Sequence, residues 1–241
     1  GRDARGVPLV NVIGLEPGER VTAAVAVPDF AQVEYLTMAT VGGKVKRTAL
    51  AEFAAVRPSG IIALTLDEGD ELGWVCLTRG EQELIMVTER GQALRFSEEE
   101  VRPMGRSAAG VWGIRLAKGD HVASMDVVEP EGELVLVTAR GFGKRTPLSE
   151  YSRQGRHSGG VQTLSRNLER TGPIVAARVM RPQDELALVS AQGMALRAKV
   201  ADVPSQGRAA GGGRLMILEG GDTVASVARL AASENAEPAP A

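Results

Sequence analysis

The chain has 241 residues, 44% hydrophobic and 24% charged, with a formal net charge of −2 and a pI near 5.9. That balance supports a packed core and argues against disorder, and the lack of an eighteen-residue apolar run or an opening signal-peptide pattern argues against a membrane or secreted protein. The single Cys76 offers no disulfide framework and reads as a small buried hydrophobe.

Taken from the start, residues 1–27 read as the second half of a repeat. They hold an R-x-x-x-G element at Arg2–Gly6 and an L-x-x-G-[DE] turn from Leu15 to Glu19. Because the first residue is glycine and this repeat is cut in half, the chain is expected to be a fragment of a longer polypeptide. Four whole repeats follow, at 28–78, 79–128, 129–180 and 181–230. Their signatures are T-V-G-G-K-V-K-R-T (40–48), T-E-R-G-Q-A-L-R-F (88–96), T-A-R-G-F-G-K-R-T (138–146) and S-A-Q-G-M-A-L-R-A (190–198). The turn glycines Gly43, Gly91, Gly141 and Gly193 are spaced by 48, 50 and 52 residues, the period of a propeller or solenoid unit. The Ala/Pro/Glu-rich stretch 231–241 is expected to be a disordered tail.

Columns run through the repeats. Four residues after each glycine stand Arg47, Arg95, Arg145 and Arg197, and nine after it Glu52, Glu100, Glu150 and Asp202. An apolar residue follows at the tenth position, and the R-x-x-x-G element recurs at Arg106, Arg156 and Arg208, with a shortened copy at Arg57. The L-x-x-G-[DE] turn returns at Leu66–Asp70, Leu116–Asp120 and Leu218–Asp222, with a degraded version around Gly172.

Within a repeat, short apolar runs such as Leu134–Thr138 precede the glycine turn and predict a β-hairpin, glycine supplying the positive φ. Stretches such as 110–116 and 122–128 supply a third and a fourth strand, and no segment carries a helical stripe of ten residues. Four short strands at this period predict an all-β, propeller-like array of four-stranded blades, four full repeats plus the N-terminal half repeat.

The net charge conceals a segregation of signs. Cations gather at the hairpin and at the R-x-x-x-G element, while acids gather before the first strand and in the L-x-x-G-[DE] turn. Repetition around a radial array predicts positive stripes able to track a phosphate backbone. The candidate contacts are Lys44, Lys46, Arg47, Arg57, Arg95, Arg106, Lys144, Arg145, Arg153, Arg156, Arg197 and Arg208. The alternative is that each fourth-position arginine pairs with the ninth-position acid of its own blade, which weighs most for Arg95 and Arg197. It weighs less for Lys44, Lys46, Arg47, Lys144 and Arg145, where two or three adjacent cations share one carboxylate. In S-R-Q-G-R-H-S-G-G, a glycine-rich loop presents Arg153, Arg156 and His157.

The segments G-F-G-K-R-T-P-L-S-E-Y (141–151), R-H-S-G-G-V (156–161), R-S-A-A-G-V-W-G-I-R-L-A-K-G-D-H-V (106–122) and A-R-G-V-P-L-V-N-V-I-G-L-E-P-G-E-R-V (4–21) closely resemble the C-terminal domain family of DNA gyrase A. The resemblance covers the chain up to about residue 230. It implies a β-pinwheel that bends and wraps duplex DNA around its basic edge, so that a type IIA DNA topoisomerase introduces negative supercoils with ATP hydrolysis. It further implies a bacterial, cytoplasmic, nucleoid-associated protein whose partners are duplex DNA, the rest of the gyrase A polypeptide and the ATPase polypeptide in a heterotetramer, with ATP and Mg used elsewhere in that assembly. The family's hallmark Q-R-R-G-G-K-G box has no match here, the nearest echo being Arg153–Gly160. The corresponding polypeptide of topoisomerase IV, which decatenates and carries a similar domain without a proper box, therefore stays open as the parent.

No catalytic site is expected in this stretch. Two histidines, His121 and His157, and one cysteine make no zinc or nucleophile–base spacing. Tyr35 and Tyr151 read as packing residues, and Gly141–Gly143 lacks the helix a nucleotide loop needs. No metal, cofactor or small-molecule substrate is expected. Aromatics are 3% of the chain and none lies among the basic clusters in sequence, which disfavours single-strand stacking, and no recognition helix is available. What is left is backbone contact to a bent duplex, with a propeller used as a protein-interaction scaffold as the reading from another class.

Overall fold

Residues 13–15, 18–27, 34–55 and 60–230 are described in the computed structural model of the chain. The Arg2–Gly6 element, Arg57 and the tail 231–241 lie outside the described residues. Each repeat opens with the expected hairpin. The hairpins are β1 (Tyr35–Thr40) with β2 (Lys44–Ala49), β4 (Glu83–Thr88) with β5 (Gln92–Ser97), β8 (Glu133–Thr138) with β9 (Phe142–Pro147), and β12 (Glu185–Ser190) with β13 (Ala195–Lys199).

The turn chemistry explains several columns at once. The Thr or Ser three residues before the glycine accepts, through its hydroxyl, the N–H of the residue after it: Lys44 to Thr40, Gln92 to Thr88 and Met194 to Ser190, each at 3.1 Å. The aspartate of the L-x-x-G-D turn accepts a second hairpin N–H, from Gly42 to Asp70 at 2.7 Å, Arg90 to Asp120 at 3.1 Å and Gln192 to Asp222 at 3.1 Å. In the third repeat, where that turn is degraded, the Arg140 N–H goes instead to the carbonyl of Thr171 in the one-turn helix α1 (Leu168–Thr171). These acids therefore serve hairpin hydrogen bonds.

The sheets do not coincide with the sequence repeats. The strand after each L-x-x-G-D turn, namely β3 (Leu72–Thr78), β7 (Val122–Val127), β11 (Ile174–Met180) and β15 (Val224–Leu230), pairs with the first strand of its own hairpin. The expected third strand is two residues long, and it crosses to the hairpin of the preceding repeat. Thus β6 (Val111–Trp112) pairs with β2, β10 (Val161–Gln162) with β5 and β14 (Gly213–Arg214) with β9. Blades one to three have the orders β3-β1-β2-β6, β7-β4-β5-β10 and β11-β8-β9-β14, while the fourth has three strands, β15-β12-β13. The reason is in the R-x-x-x-G loop, whose glycine presses on the neighbouring hairpin. A Cβ on Gly160 would stand 2.4 Å from the carbonyl oxygen of Ala93, and one on Gly212 2.8 Å from that of Gly143.

This exchange ties the blades into a four-blade, propeller-like ring arrangement. Its inner wall is β3, β7, β11 and β15, and its outer edge is the hairpins with their donated strands. The core is distributed between neighbouring sheets. Ala39, Val45, Leu84, Met86 and Phe96 join blades one and two; Ile85, Val87, Leu134, Leu136 and Tyr151 join two and three; Val135, Val137, Leu186, Leu188 and Met216 join three and four. No helix among the described residues is long and apolar enough to cross a membrane.

The donated strands make equivalent glycines unequal. Gly141 and Gly193 both have positive φ, but a Cβ at 141 would meet the carbonyl oxygen of Met216 at 2.3 Å, whereas nothing lies within 4 Å at 193. Gly141→Ala should cost about 2–4 kcal/mol, strain plus overpacking, and Gly193→Ala about 1–2 kcal/mol of strain alone. Urea unfolding of the two variants checks this, and equal losses would contradict the donated strand as the cause.

Candidate nucleic-acid interface

The arginine four residues after each glycine occupies the second hairpin strand, and its side chain turns back along the sheet. Arg95 meets Glu83 and Arg145 meets Glu133, each at 2.5 Å, and Arg197 meets Glu185. Of the acids expected before the first strand, Glu83, Glu133 and Glu185 in fact open it and partner the column arginines, because antiparallel register puts residues twelve apart on one face of the hairpin. The ninth-position acids do not pair with them. Instead Glu52, Glu100 and Glu150 accept the backbone N–H of Arg106, Arg156 and Arg208 from the following repeat, at 3.3, 2.7 and 3.1 Å.

The same arginines reach the next blade. Arg95 donates to the Leu148 carbonyl at 2.9 Å, and Arg145 to that of Val203 at 2.8 Å. In the first blade, Tyr35 stands where the other hairpins have glutamate, and the guanidinium of Arg47 lies 4.6 Å from its ring centroid. Arg47 takes its carboxylate from Glu98 of the next repeat, at 3.4 Å. Arg47 is only 6% exposed and Glu98 0%, and Glu98 also accepts the N–H groups of Gly80 and Gln82 at 2.9 and 2.8 Å. The column is therefore a set of clamps within and between blades, with Arg197 the copy open to solvent.

Two candidate lysines are internal. Lys46 is 1% exposed and Lys144 0%. Lys46 Nζ donates to the Ala63 and Arg106 carbonyls, the former at 2.7 Å, and Lys144 Nζ to those of Gly207 and Arg208 at 2.6 Å each. Burial pulls both ammonium groups down to about 8, against the raising field of Glu52 and Glu150 respectively. Neither has open surface for a phosphate; each holds the backbone of an R-x-x-x-G loop from below. Lys44 is half-buried, bonded to Asp67 at 2.7 Å.

The loops themselves form a belt on the outer edge. Met104, Gln154 and Gln206 donate their N–H groups to the carbonyls of Arg47, Arg95 and Arg145. Thr65, Arg115 and Ser165 bond across to Ala108, Ser158 and Ala210, so each loop is joined by its backbone to the loop of the next repeat. Arg106, Arg156 and Arg208 are half-buried at its base, with Arg156 also bonded to the Trp112 carbonyl and Arg208 to that of Gln162 at 3.5 Å. Arg153 stands on the belt exposed and without an ion pair to any described residue. Arg102, Arg115 and Arg166 share that state, and Arg214 is exposed with its guanidinium 5.1 Å from the Phe142 ring centroid.

None of these four belongs to a repeated column, so the periodicity does not mark them; the signal in the sequence is a cation lying outside the columns, near the loop glycines. Nor does the periodicity set an aromatic beside a cation. The fold brings Trp112 within 5.4 Å of Lys44 Nζ and stacks it on His157. Tyr151 is packed as expected, its hydroxyl 2.5 Å from that of Thr163, and burial pushes the half-buried Cys76 thiol up to about 12.

An exposed belt of cations on a curved outer edge is suited to binding a polyanion longer than a single blade. Comparison with known proteins bears on which. The family model described as the DNA gyrase C-terminal domain, beta-propeller, matches residues 1–28, 34–72, 82–129, 132–179 and 184–231. The DNA gyrase A protein of Halalkalibacterium halodurans is 50% identical over 230 residues, and that of Clostridium acetobutylicum 42% over 230, each match covering 95% of this chain. The chain spans 28% of the length of these relatives. Among solved structures, a DNA gyrase A C-terminal domain superposes with a TM-score of 0.87 at 26% identity, covering 95% of this chain and 77% of that one. The C-terminal domain of a DNA topoisomerase IV does so with 0.86 at 30%, covering 93% and 70%.

Proposed function

The chain belongs to the DNA gyrase C-terminal domain family, and from that premise we propose that it binds duplex DNA and bends it around the outer edge of its blades. It is an accessory domain of a type II DNA topoisomerase, with DNA cleavage and ATP hydrolysis performed by other parts of the assembly. Wrapping sets the handedness of the DNA segment delivered to those parts, which lets the assembly introduce negative supercoils.

The observation that carries this reading is the belt. Loops from successive repeats are joined backbone to backbone, and Arg102, Arg115, Arg153 and Arg166 stand on it unpaired with described residues. Phosphates are the partner such a belt fits, because the cations lie along a curve and no carboxylate among the described residues pairs with them. The direct contacts are therefore Arg102, Arg115, Arg153, Arg166 and Arg214, with Arg106, Arg156, Arg208 and Arg197 at the margin. Lys46, Lys144, Arg47, Arg95 and Arg145 act indirectly by holding the loops in place. The likeness to the topoisomerase IV domain keeps decatenation as the second reading of the parent's activity.

Binding of a duplex of about 100 base pairs should weaken steeply with salt, the logarithm of affinity falling by about 0.9 per phosphate contact for each decade of salt. Titration at several salt concentrations tests this. A flat dependence would exclude phosphate tracking.

A further inference from the structure

Trp112 is 48% exposed, while the aromatic side chain paired with the donated strand of the third blade, Phe142, is 7% exposed and covered by Arg170 and Arg214. It lies on β6, the outermost strand of the first blade, directly opposite Lys44. Two side chains flank the ring, and a third holds its backbone. Lys44 Nζ stands over one region of it at 5.4 Å, His157 stacks at 6.2 Å between centroids with 20° between planes, and Arg156 donates to the Trp112 carbonyl. His157 reaches that position with φ at 64°, the one positive φ among described non-glycine residues, a conformation other side chains adopt at a cost. Its own N–H is anchored on the Gly113 carbonyl at 2.7 Å.

A large ring left half in water, stacked on His157 and flanked by Lys44, with Arg156 bonded to its backbone and Arg115 three residues further along the chain, has the form of an apolar wedge among cations. We infer that Trp112, backed by His157, presses into the minor groove of the duplex where it bends over the first blade. This rests on the DNA-binding reading above and adds one specific non-ionic contact to it. Part-unstacking one base step favours a kink, and the kink brings flanking phosphates onto Lys44, Arg115 and Arg156. In the second blade the matching position is Gln162 and in the third Arg214, so the wedge is a property of one blade and fixes where along the path the duplex is bent most.

The test uses the chain carrying Trp74→Phe, in which Trp112 is the sole indole. A duplex of about 100 base pairs should quench Trp112 emission, and Trp112→Ala should weaken binding of that duplex about tenfold and lower end-to-end energy transfer across it. Binding of a duplex of about 12 base pairs, too short to bend, should change less than about threefold. Trp112→Phe should retain most of the bending, and if Trp112→Ala fails to fold, the emission of Trp112 and the Phe variant decide. Salt-sensitive DNA binding with unchanged Trp112 emission and undiminished bending in the variants would overturn the wedge while leaving the DNA-binding reading intact. No binding of either duplex at low salt would instead overturn that reading, and the wedge with it.

Discussion

Replacing Arg102, Arg115, Arg153 and Arg166 together with glutamate should lower affinity for a duplex of about 100 base pairs by about three decades at physiological salt. Four phosphate contacts, each with a salt slope of about 0.9, are worth that much between about 1 M and 0.15 M salt. The side chains are exposed and unpaired with described residues, so the fold should survive the change. Arg95→Gln and Arg145→Gln should behave in the opposite way: they break clamps between neighbouring blades, so stability falls while binding per folded molecule changes little. Gel-shift titrations beside urea unfolding separate the two classes. If the column variants lost binding without losing stability and the loop variant bound normally, the assignment of roles would be reversed.

The second large effect concerns Glu98. Its fully buried carboxylate answers Arg47 and two backbone N–H groups, so Glu98→Ala leaves a buried guanidinium without its counter-charge, holding only the Gly80 carbonyl at 3.0 Å, and two half-buried N–H groups without their acceptor. Removing one member of such a pair typically costs about 3–5 kcal/mol. Denaturant midpoints of Glu98→Ala, Arg47→Ala and the double variant should show strong coupling, the double losing clearly less than the sum. A loss below about 1 kcal/mol for Glu98→Ala, the range of an exposed pair, would contradict its burial between the blades.

The blades were legible in the sequence because their determinants are local. Alternating apolar runs, a hydroxyl residue three before a glycine and an acid in the following turn each act within a few residues or at one fixed spacing. The strand exchange was not legible, since 111–112 has the same composition whether it joins its own hairpin or the preceding one. What goes with the exchange is the close contact of the preceding glycine with the neighbouring backbone, at 110 with the Val45 carbonyl as at 160 and 212.

The candidate site was half legible for a related reason. Whatever recurs at the blade period serves what every blade needs, and every blade needs its neighbours. Arg95, Arg145, Lys46 and Lys144 recur and turn inward, whereas Arg102, Arg115, Arg166 and Trp112 do not recur and face out. Glu98 was hidden in the run Glu98–Glu100, which reads as a solvated charge cluster. The clue was that it occupies the position filled by Leu50, Leu148 and Val200 in the other repeats, each of them buried.

Wrapping itself is tested most directly by topology. A nicked circular DNA is resealed by ligase with and without saturating chain, stripped of protein, and its linking number compared. A duplex led around the outer edge predicts a shift that grows with bound chain, persists in Arg95→Gln and disappears in the four-arginine reversal. Saturated binding with no change in linking number, or a shift that the reversal leaves untouched, would contradict it.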